Sequence, residues 1–350
     1  MRFYEIIREA ASPRIPHPED AIFGGVAEAK KYLNGLKEVI ANPGKVTIKW
    51  DGGIALVFGN GDNGFTIADK YMPEKGFFPT SPEDWVKYDQ GRGKDRADLY
   101  DKIRLIWPGL QAAVGNTKGL FKGDLMSCGK LTPVDGKFVF SPTTVEYKVP
   151  VASALGRKIA NSVAILAVHM YNGAPWDGHS GLTDKGNVAI LTPSAGIQFT
   201  VKNPIQLVNA AESAVNQLGG KAEQFLSGVT GAAKGALQTY FNKQITKQTT
   251  KNVVEWLREN EPGTFKKLIG ENNDGYMVQN KDGYEALVAV WNAVYRLKVN
   301  LAAQLEPQVK GFEQNIAGQP AGEGFVFNSP SAGMIKLVNR EVFGGAHFNK

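Results

Sequence analysis

The sequence contains a single cysteine among 350 residues, Cys128. One thiol excludes an internal disulfide and is typical of a reducing compartment. Histidine is also scarce, with four residues that lack the spacing of zinc ligands, so any metal is expected to bind oxygen ligands. No apolar run approaches the roughly 20 residues of a membrane-spanning helix, and the first residues have no signal-peptide pattern. The sequence therefore predicts a cytoplasmic protein that does not enter a membrane.

The composition is that of a globular chain. Hydrophobic residues make up 43% of the sequence, which is enough for a sizeable core, and no low-complexity tract or fixed-period repeat is present. There are 40 Lys and Arg against 34 Asp and Glu, which gives a formal net charge of +6. This excess permits a polyanionic partner such as nucleic acid but does not require one, because many basic proteins simply have solvated lysines. The composition does not indicate an oligomeric state.

Short strand-like runs alternate with glycine, asparagine, aspartate and proline turns between residues 44 and 202. The runs are KVTIKW, IALVFG, GFTIAD, GLFKGDLM, KFVFSPTTVEYKV, VAILAVHMY, VAILT and IQFTV. Runs of this length between turn residues predict a mostly β region with antiparallel character.

Helical periodicity begins after these runs. Asn203 suits a helix N-cap, Pro204 suits the first helical position, and the pair Gly219 and Gly220 can end the first helix. Strand-like runs then return at GEGFVFNSP and GMIKLVNREVF. The sequence therefore predicts an α+β protein in which a helical domain is inserted into a β-rich domain. The predicted boundaries are 1–202 and 316–350 for the β-rich domain and 203–315 for the helical one.

Lys49 ends the run KVTIKW and is followed at once by Asp51 and two glycines. Strand alternation places Val46 and Ile48 on one face and Lys49 on the other, and the glycines permit a tight turn beside it. A partly desolvated lysine can lose its proton, and the neutral amine can attack a phosphoryl or carbonyl centre. The alternative is an edge-strand lysine that discourages aggregation. The segment by itself leaves both interpretations open.

Four further segments give Lys49 a context. They are FKGDLM (121–126), ILAVHMYNG (165–173), EGFVF (323–327) and MIKLVN (334–339). With K-x-D-G at Lys49, they resemble the ordered motifs of the covalent nucleotidyltransferases, the superfamily of ATP-dependent DNA ligases, RNA ligases and mRNA capping enzymes. The resemblance covers residues 45–202 and 318–343. It implies an ATP-grasp-like ligase adenylation domain of antiparallel sheets, interrupted by a helical insertion.

A second resemblance concerns the origin of the chain. The segment HPEDAIFGGVAEAKKYLNGL, followed by TIKWDG, is similar to a little-characterised family of large tailed bacteriophages. A phage protein of this kind would act in the cytoplasm of its host.

The resemblance to nucleotidyltransferases implies a role for each catalytic residue. Lys49 would attack the α-phosphate of ATP and form a lysyl-AMP phosphoramidate. Lys336 would neutralise charge on the phosphate, since it is the one secure lysine of the last motif, with Val338 at the second lysine position. Asp51 would orient Lys49 or bind a ribose hydroxyl, and Gly52 would lie at the nucleotide.

The same resemblance implies a divalent metal, Mg²⁺, bound by Asp124 and Glu323, because Mg²⁺ prefers oxygen ligands. Asp124 replaces the usual glutamate and is one methylene shorter, so its contact is expected to run through water. Each carboxylate is alternatively a solvated turn or salt-bridge residue. Lys70 and Lys75 lie where the family places a basic residue that meets the 5′-phosphate of a polynucleotide, although charged loop residues are usually just solvated.

The base-stacking position of the family is altered here. Its aromatic residue and the following acid align with Val168 and His169, so the sequence leaves open whether this pair or Tyr171, which would supply a stacking face, contacts the base. The alternative for Tyr171 is a tyrosine in a half-buried sheet.

Three functions remain open at this stage. No segment after the last motif fits the OB-fold domain of DNA ligases and capping enzymes, whereas many RNA ligases add a helical module. An ATP-dependent polynucleotide ligase of RNA-ligase type, acting on RNA or a nicked duplex, is therefore favoured, with a nick-sealing DNA ligase second. Residues 203–315 contain 12 Lys and Arg and 11 Asp and Glu. This near-neutrality suits protein contacts better than phosphate contacts, and it keeps open the third function, a non-catalytic nucleotide-binding or structural phage protein.

Overall fold

The computed structural model describes residues 15–50, 52–183, 185–245, 248, 250–272 and 274–341. These residues form two compact units. The first unit contains residues 47–197 and 309–323, and the second contains 15–46, 198–308 and 324–341. The second unit therefore includes two flanking stretches, 15–46 and 324–341, that the sequence analysis assigned to the β-rich domain.

The regular elements alternate along the chain. The strands are β1 (Thr47–Ile48), β2 (Ile54–Gly61), β3 (Gly64–Asp69), β4 (Gly119–Cys128), β5 (Lys137–Phe140), β6 (Val145–Pro150), β7 (Ala164–Tyr171), β8 (Ala174–Pro175), β9 (Val188–Leu191), β10 (Glu313–Ile316), β11 (Gln319–Pro320), β12 (Phe325–Ser329) and β13 (Gly333–Leu337). The α-helices are α1 (Val26–Ala41), α2 (Pro82–Gln90), α3 (Ala97–Val114), α4 (Ala154–Ala160), α5 (Ile205–Ser227), α6 (Gly231–Lys243), α7 (Thr250–Asn260), α8 (Pro262–Leu268), α9 (Tyr276–Gln279) and α10 (Lys281–Leu305). Short 3₁₀-helical turns cover Pro18–Gly24, Pro43–Lys45, Pro73–Lys75 and Glu306–Gln308.

A six-stranded sheet dominates the first unit. Its strand order is β3-β2-β4-β7-β8, and β9 pairs with β7. All of these pairs are antiparallel except β7 with β9, which is parallel. Since β2 pairs with β3 and β4, the described residues do not form the tight hairpin that the sequence predicts at Lys49.

One face of this sheet is covered by α3. The spacing of Ile103, Ile106 and Leu110 gives α3 an apolar stripe, and all three side chains are buried in a core that also contains Phe121 and Leu125 of β4. Because side chains alternate along a strand, residues 122 and 124, which lie between Phe121 and Leu125, point to the opposite face. Only the middle of this opposite face carries polar side chains, because Leu120 and Met126 at its two ends are buried.

A second sheet of the first unit has the order β11-β10-β6-β5, with every pair antiparallel. Trp50 packs its ring against Phe312, just before β10, and against Tyr147 of β6, at centroid distances of 4.7 and 5.7 Å. These contacts fix the chain next to Lys49 against the second sheet.

The second unit is mainly helical. The helix α5 continues through Gly219 and Gly220 to Ser227, so the prediction that the glycine pair ends it is wrong. A Cβ on Gly219 would lie 3.0 Å from Val26 Cγ2, so this glycine permits close packing against α1. The strands β12 and β13 form an antiparallel hairpin in this unit.

Charged side chains are buried together in the second unit. Glu19 accepts hydrogen bonds from Lys298 and from Arg340, and Arg340 also donates to Asp20. Glu19 and Lys298 are fully buried, so each charge is stabilised by its partners instead of by water. Burial raises the pKa of Glu19. The positive charges of Lys298 and Arg340 and the hydrogen bond from Lys298 outweigh this effect and hold the pKa at about 2.

The structure is α+β with antiparallel sheets, as the sequence predicts, but the sequence misses several elements. The helices α2, α3 and α4 lie inside the region interpreted as mostly β. The run IQFTV (197–201) is not a strand, and β10 begins inside the predicted helical block, whose helices end at Gln308. Among the described helices, none is long and apolar enough to span a membrane.

Candidate functional site

Lys49 follows β1 directly and forms an ion pair in the first unit. Its neighbours Ile48 and Trp50 are each at most 4% exposed, whereas the side chain of Lys49 is more exposed, which agrees with the predicted alternation. Its Nζ donates to Glu323 Oε2 across 2.9 Å. The Glu323 side chain is 1% exposed and that of Lys49 is 21% exposed. The structure therefore brings together the first and the fourth of the predicted motifs.

The segments that carry this pair are anchored on both sides. The Ile48 N–H donates to the Pro193 carbonyl at 2.7 Å, and Trp50 Nε1 donates to the Thr192 carbonyl at 3.0 Å. The ring of Trp50 packs on Phe312, which lies in the same returning segment of the first unit as Glu323. Packing on this one indole therefore helps to position both partners of the ion pair.

The turn after Lys49 touches β4 at Asp124. A Cβ on Gly52 would lie 2.3 Å from Asp124 Cβ, so only glycine allows the backbone to approach this closely. The Gly53 N–H donates to the Leu125 carbonyl at 3.0 Å and fixes the approach. Asp51, which the sequence analysis assigned to catalysis, lies outside the described residues.

Asp124 is paired with a histidine that the sequence analysis did not select. His169 Nε2 lies 3.0 Å from Asp124 Oδ2, and both side chains are partly exposed. A register shift in β7 explains the position of His169. Lys122 pairs with Met170 and Gly123 pairs with Val168, so His169 is the extra residue of a β-bulge. Such bulges re-aim a side chain, and this one directs the imidazole to the Asp124 face.

Tyr171 and Val168 face the other way. Tyr171 is the direct partner of Phe121, and their rings stack at 4.4 Å on the face covered by α3. Its hydroxyl donates to the Lys118 carbonyl. Val168 is fully buried in the same core. The placement of Tyr171 therefore differs from the expected base-stacking position, because the bulge at His169 changes which side chains share a face.

Lys122 is a second residue that the sequence analysis passed over. It lies two positions before Asp124 in β4 and so shares its face, which simple alternation would have predicted. Burial lowers the pKa of Lys122, Lys70 lowers it further, and Asp124 and Glu74 oppose the shift. The polar face of the sheet thus carries cationic and anionic groups side by side.

The remaining predicted basic residues occupy other places. Lys336 lies in β13 of the second unit opposite Val326, and its N–H donates to the Pro16 carbonyl at 3.3 Å. Its expected role at the phosphate stays a prediction. Lys70 follows β3 in the first unit, with its ammonium 4.9 Å from the centroid of the exposed Tyr71 ring, and Lys75 is an exposed residue of a 3₁₀ turn.

The carboxylates provide a limited donor set for a metal. Within the described ranges, no three His, Cys, Asp or Glu side chains are grouped closely enough to hold an ion. Mg²⁺ commonly uses one or two carboxylates and completes its shell with water and substrate phosphates. Asp124 fits this use in part, since its neighbours across the sheet are the small residues Ala55 and Ala167 and its side chain is partly exposed, although its Oδ2 is paired with His169. Glu323 offers oxygen donors as well, although one of them accepts from Lys49.

Comparison with known proteins identifies a family but not an activity. No curated protein and no solved structure matches the chain. A family model described as "Family of unknown function (DUF6267)" matches residues 14–350. The match includes both units and every residue of the candidate site, and the chain therefore belongs to this family.

Proposed function

We propose that this chain is an ATP-dependent polynucleotide ligase that acts through a lysyl-AMP intermediate and seals 5′-phosphate and 3′-hydroxyl ends. The observation that carries the proposal is the contact between Lys49 and Glu323. The resemblance to nucleotidyltransferases assigns these residues to the first and fourth motifs, 274 positions apart, and their side chains meet at 2.9 Å. A lysine at the edge of a sheet that only discourages aggregation does not need a buried carboxylate partner.

The first chemical step is attack by Lys49. A bond forms between Nζ and the α-phosphorus of ATP, the bond from that phosphorus to the bridging oxygen breaks, and pyrophosphate leaves. The ammonium must lose a proton to become a nucleophile. Glu323 Oε2 lies at hydrogen-bond distance and accepts this proton. The ion pair therefore orients the nucleophile and supplies its base.

The later steps transfer AMP from Lys49 to the 5′-phosphate of the polynucleotide and then release it. A 5′-phosphate oxygen of the polynucleotide attacks the phosphorus of lysyl-AMP, the nitrogen to phosphorus bond breaks, and Lys49 is regenerated. The 3′-hydroxyl then attacks the 5′-phosphorus, loses its proton, and releases AMP. Negative charge gathers on the phosphoryl oxygens in each step, so cations must neutralise it. The resemblance to nucleotidyltransferases assigns this neutralisation to Lys336 and Mg²⁺.

Asp124 and Glu323 would hold the divalent ion through oxygen atoms. Bound Mg²⁺ supplies Lewis-acid neutralisation of phosphate oxygens. His169 would meet the base, since it is the side chain of its segment that the bulge in β7 directs to the Asp124 face. Its ring replaces the aromatic residue that the family uses for stacking. Gly52 would allow the nucleotide to approach the backbone, as it allows Asp124 to do.

The RNA-ligase type is favoured over a nick-sealing DNA ligase because the second unit is mainly helical. The enzyme would act on RNA or a nicked duplex in the cytoplasm, and in that of the host if a phage encodes it. A non-catalytic nucleotide-binding protein is the second candidate, since a mostly buried ion pair such as Lys49 with Glu323 can also serve a purely structural role.

The test is covalent labelling. The full chain is incubated with α-labelled ATP or GTP and Mg²⁺ and analysed by denaturing electrophoresis. We expect label on the protein from ATP, which acid releases and base does not. Lys49→Arg is the matched control, since arginine keeps the charge beside Glu323 but cannot become a neutral nucleophile.

Each outcome decides between functions. Label on the native chain and none on Lys49→Arg supports the ligase chemistry. Label from GTP alone would indicate a capping enzyme. Absence of label from either nucleotide, or equal label on Lys49→Arg, would contradict the proposal.

A further inference from the structure

A small cavity lies in the first unit beside the turn between β2 and β3, and we call it the turn cavity. Its volume is about 140 Å³. Thr66 of β3 lines it, together with Phe78 and Leu120, which pack against one another. Phe65 and Ile67, the neighbours of Thr66 in β3, are buried in the core under α3. Alternation therefore places Thr66 and the turn cavity on the opposite face of the sheet.

The Thr66 hydroxyl is a polar group in the buried part of this cavity. Thr66 is 1% exposed, and its Oγ1 has no hydrogen-bond partner among the residues that the structure describes. A buried hydroxyl without a partner is costly, and this group can both donate and accept. The exposed Asn63 also lines the cavity, and its carboxamide offers a donor and an acceptor. Together with the apolar surface of Phe78 and Leu120, these groups suit a flat ring with polar edges.

The size and charge of the turn cavity select among such ligands. A cavity of about 150 Å³ holds one benzene molecule, so the turn cavity has room for about one six-membered ring. Its described lining residues include one carboxylate, that of Asp62, and no lysine or arginine, which disfavours a phosphate group inside. A pyrimidine base combines a single flat ring with donor and acceptor edges, and the phosphates attached to its sugar can stay outside.

We infer that the turn cavity binds one unstacked pyrimidine base of a polynucleotide. The inference rests on the proposed function and names a part of its substrate. Leu120 and Asp124 lie on the same face of β4, and their Cα atoms are about 13 Å apart along the strand. A polynucleotide that reaches Asp124 can therefore place a neighbouring base in the cavity. Unstacked bases of single strands are commonly bound on aromatic rings and through their polar edges.

The experiment is calorimetric titration of the full chain with a short oligouridylate and, separately, with free uridine, at fixed salt. Gly61→Leu is the blocking variant, because Gly61 lines the cavity and a Cβ on it would meet nothing within 4 Å. Its φ is not positive, so leucine fits its backbone. We expect this variant to weaken oligouridylate binding about tenfold, since contact between a base and an aromatic ring is lost.

Gly220→Leu is the matched control. A Cβ on Gly220 would also meet nothing within 4 Å, and this residue lies in α5 of the second unit. We expect its affinity for oligouridylate to stay within about twofold of the native value.

Thr66→Val is a second variant, which tests the cavity if Gly61→Leu does not fold. It keeps the shape of the side chain and removes the hydroxyl, so we expect it to weaken oligouridylate binding about fivefold. Removing a buried hydroxyl that lacks a partner should leave the urea midpoint at or above the native value. A lower midpoint would show that the hydroxyl already serves the fold and would overturn its assignment to a ligand.

The remaining outcomes separate this inference from the proposed function. Weaker oligouridylate binding in Gly61→Leu and Thr66→Val, in a chain that forms no covalent label, would support the cavity and contradict the ligase. Covalent label together with native oligouridylate affinity in both folded variants would support the ligase and overturn the cavity. Free uridine that binds as tightly as the oligouridylate would overturn the assignment to a polynucleotide. A native chain that binds neither ligand at millimolar concentration would also overturn the inference.

Discussion

Lys49 Nζ and Glu323 Oε2 lie 2.9 Å apart, although 274 residues separate them in the sequence. Removing one partner of a mostly buried ion pair costs about 3–5 kcal/mol, because the other charge is left without compensation. We expect Lys49→Ala to lower the free energy of unfolding by about 3 kcal/mol, measured by urea denaturation. Lys49→Arg keeps the charge and should lose much less. The double variant Lys49→Met with Glu323→Gln should be more stable than Lys49→Ala. If Lys49→Ala were as stable as the native chain, the ion pair would not contribute to stability as expected.

The imidazole of His169 should affect nucleotide affinity. We expect His169→Ala to raise the KM for ATP in the labelling reaction about tenfold, since stacking on a base contributes roughly 1–3 kcal/mol. His169→Phe should retain most of the affinity because it keeps a flat ring. Tyr171→Phe is the control, since it keeps the stack on Phe121 and loses only the hydroxyl bond to Lys118. An unchanged KM for His169→Ala would contradict the proposed contact between His169 and the base.

Trp50 should stabilise the site through two separable contacts. Trp50→Phe loses the hydrogen bond to the Thr192 carbonyl but keeps an aromatic ring near Phe312, and we expect a loss of about 1 kcal/mol. Trp50→Ala also loses the ring and should cost about 3–5 kcal/mol. Labelling rates at low temperature, where both variants remain folded, should fall more for Trp50→Ala. Equal rates for the two variants would show that the ring does not position Lys49.

The free energy of unfolding should decrease as the pH is lowered, because of His17. Its Nδ1 is buried, and burial lowers the pKa of the imidazole from 6.5 to about 2, with Lys298, Arg340 and Lys336 adding to the shift and Glu19 opposing it. Between these values the unfolded chain binds a proton that the folded chain does not, so folding weakens as the pH drops below 6.5. From pH 7 to 5.5 the expected loss is about 1 kcal/mol.

The measurement is urea denaturation of the native chain and of His17→Gln at both pH values. The variant lacks the titrating group, so its stability should change less over the interval. The carboxylate of Glu19 contributes a loss only below its ordinary pKa of 4.5, outside this interval. Identical pH dependence in the two proteins would contradict the assignment to His17.

The sugars at the 3′-hydroxyl end should determine how fast a nick is sealed. The 2′-hydroxyl distinguishes RNA from DNA at a given position, so we expect faster sealing of nicks whose 3′-hydroxyl strand ends in two ribonucleotides. The assay compares nicked duplexes that differ only in those two sugars, at fixed salt, since phosphate contacts make binding salt-dependent. Equal or faster sealing of the all-DNA nick would favour the DNA-ligase alternative and would leave the role of Lys49 intact.

The sequence was sufficient for features that follow from local pattern or motif order. Alternation predicted that Lys49 points away from Val46 and Ile48, and motif order selected Glu323 although it is remote in the sequence. Alternation also predicts that Lys122 shares a face with Asp124, two positions later in β4.

Other features depend on tertiary structure and carried no clear local signal. The bulge at His169 reverses the faces expected in β7, and one additional residue is enough to do so. The helix α5 passes through Gly219 because α1 packs closely against it there, although two glycines in isolation favour a helix end. The sequence did not predict helix α3, because this helix lies between strand-like runs in a region interpreted as mostly β.

The separation of Lys49 from Glu323 also sets the order in which the site can form during translation. Ribosomes add about 5–20 residues per second, so the lysine is synthesised roughly 15–55 s before its carboxylate partner. During that interval the nascent chain carries the proposed nucleophile without its carboxylate partner. A messenger cut before the Glu323 codon, or a ribosome stalled there, would yield a chain with Lys49 and an incomplete site, so under the proposed function unfinished chains would not consume nucleotide.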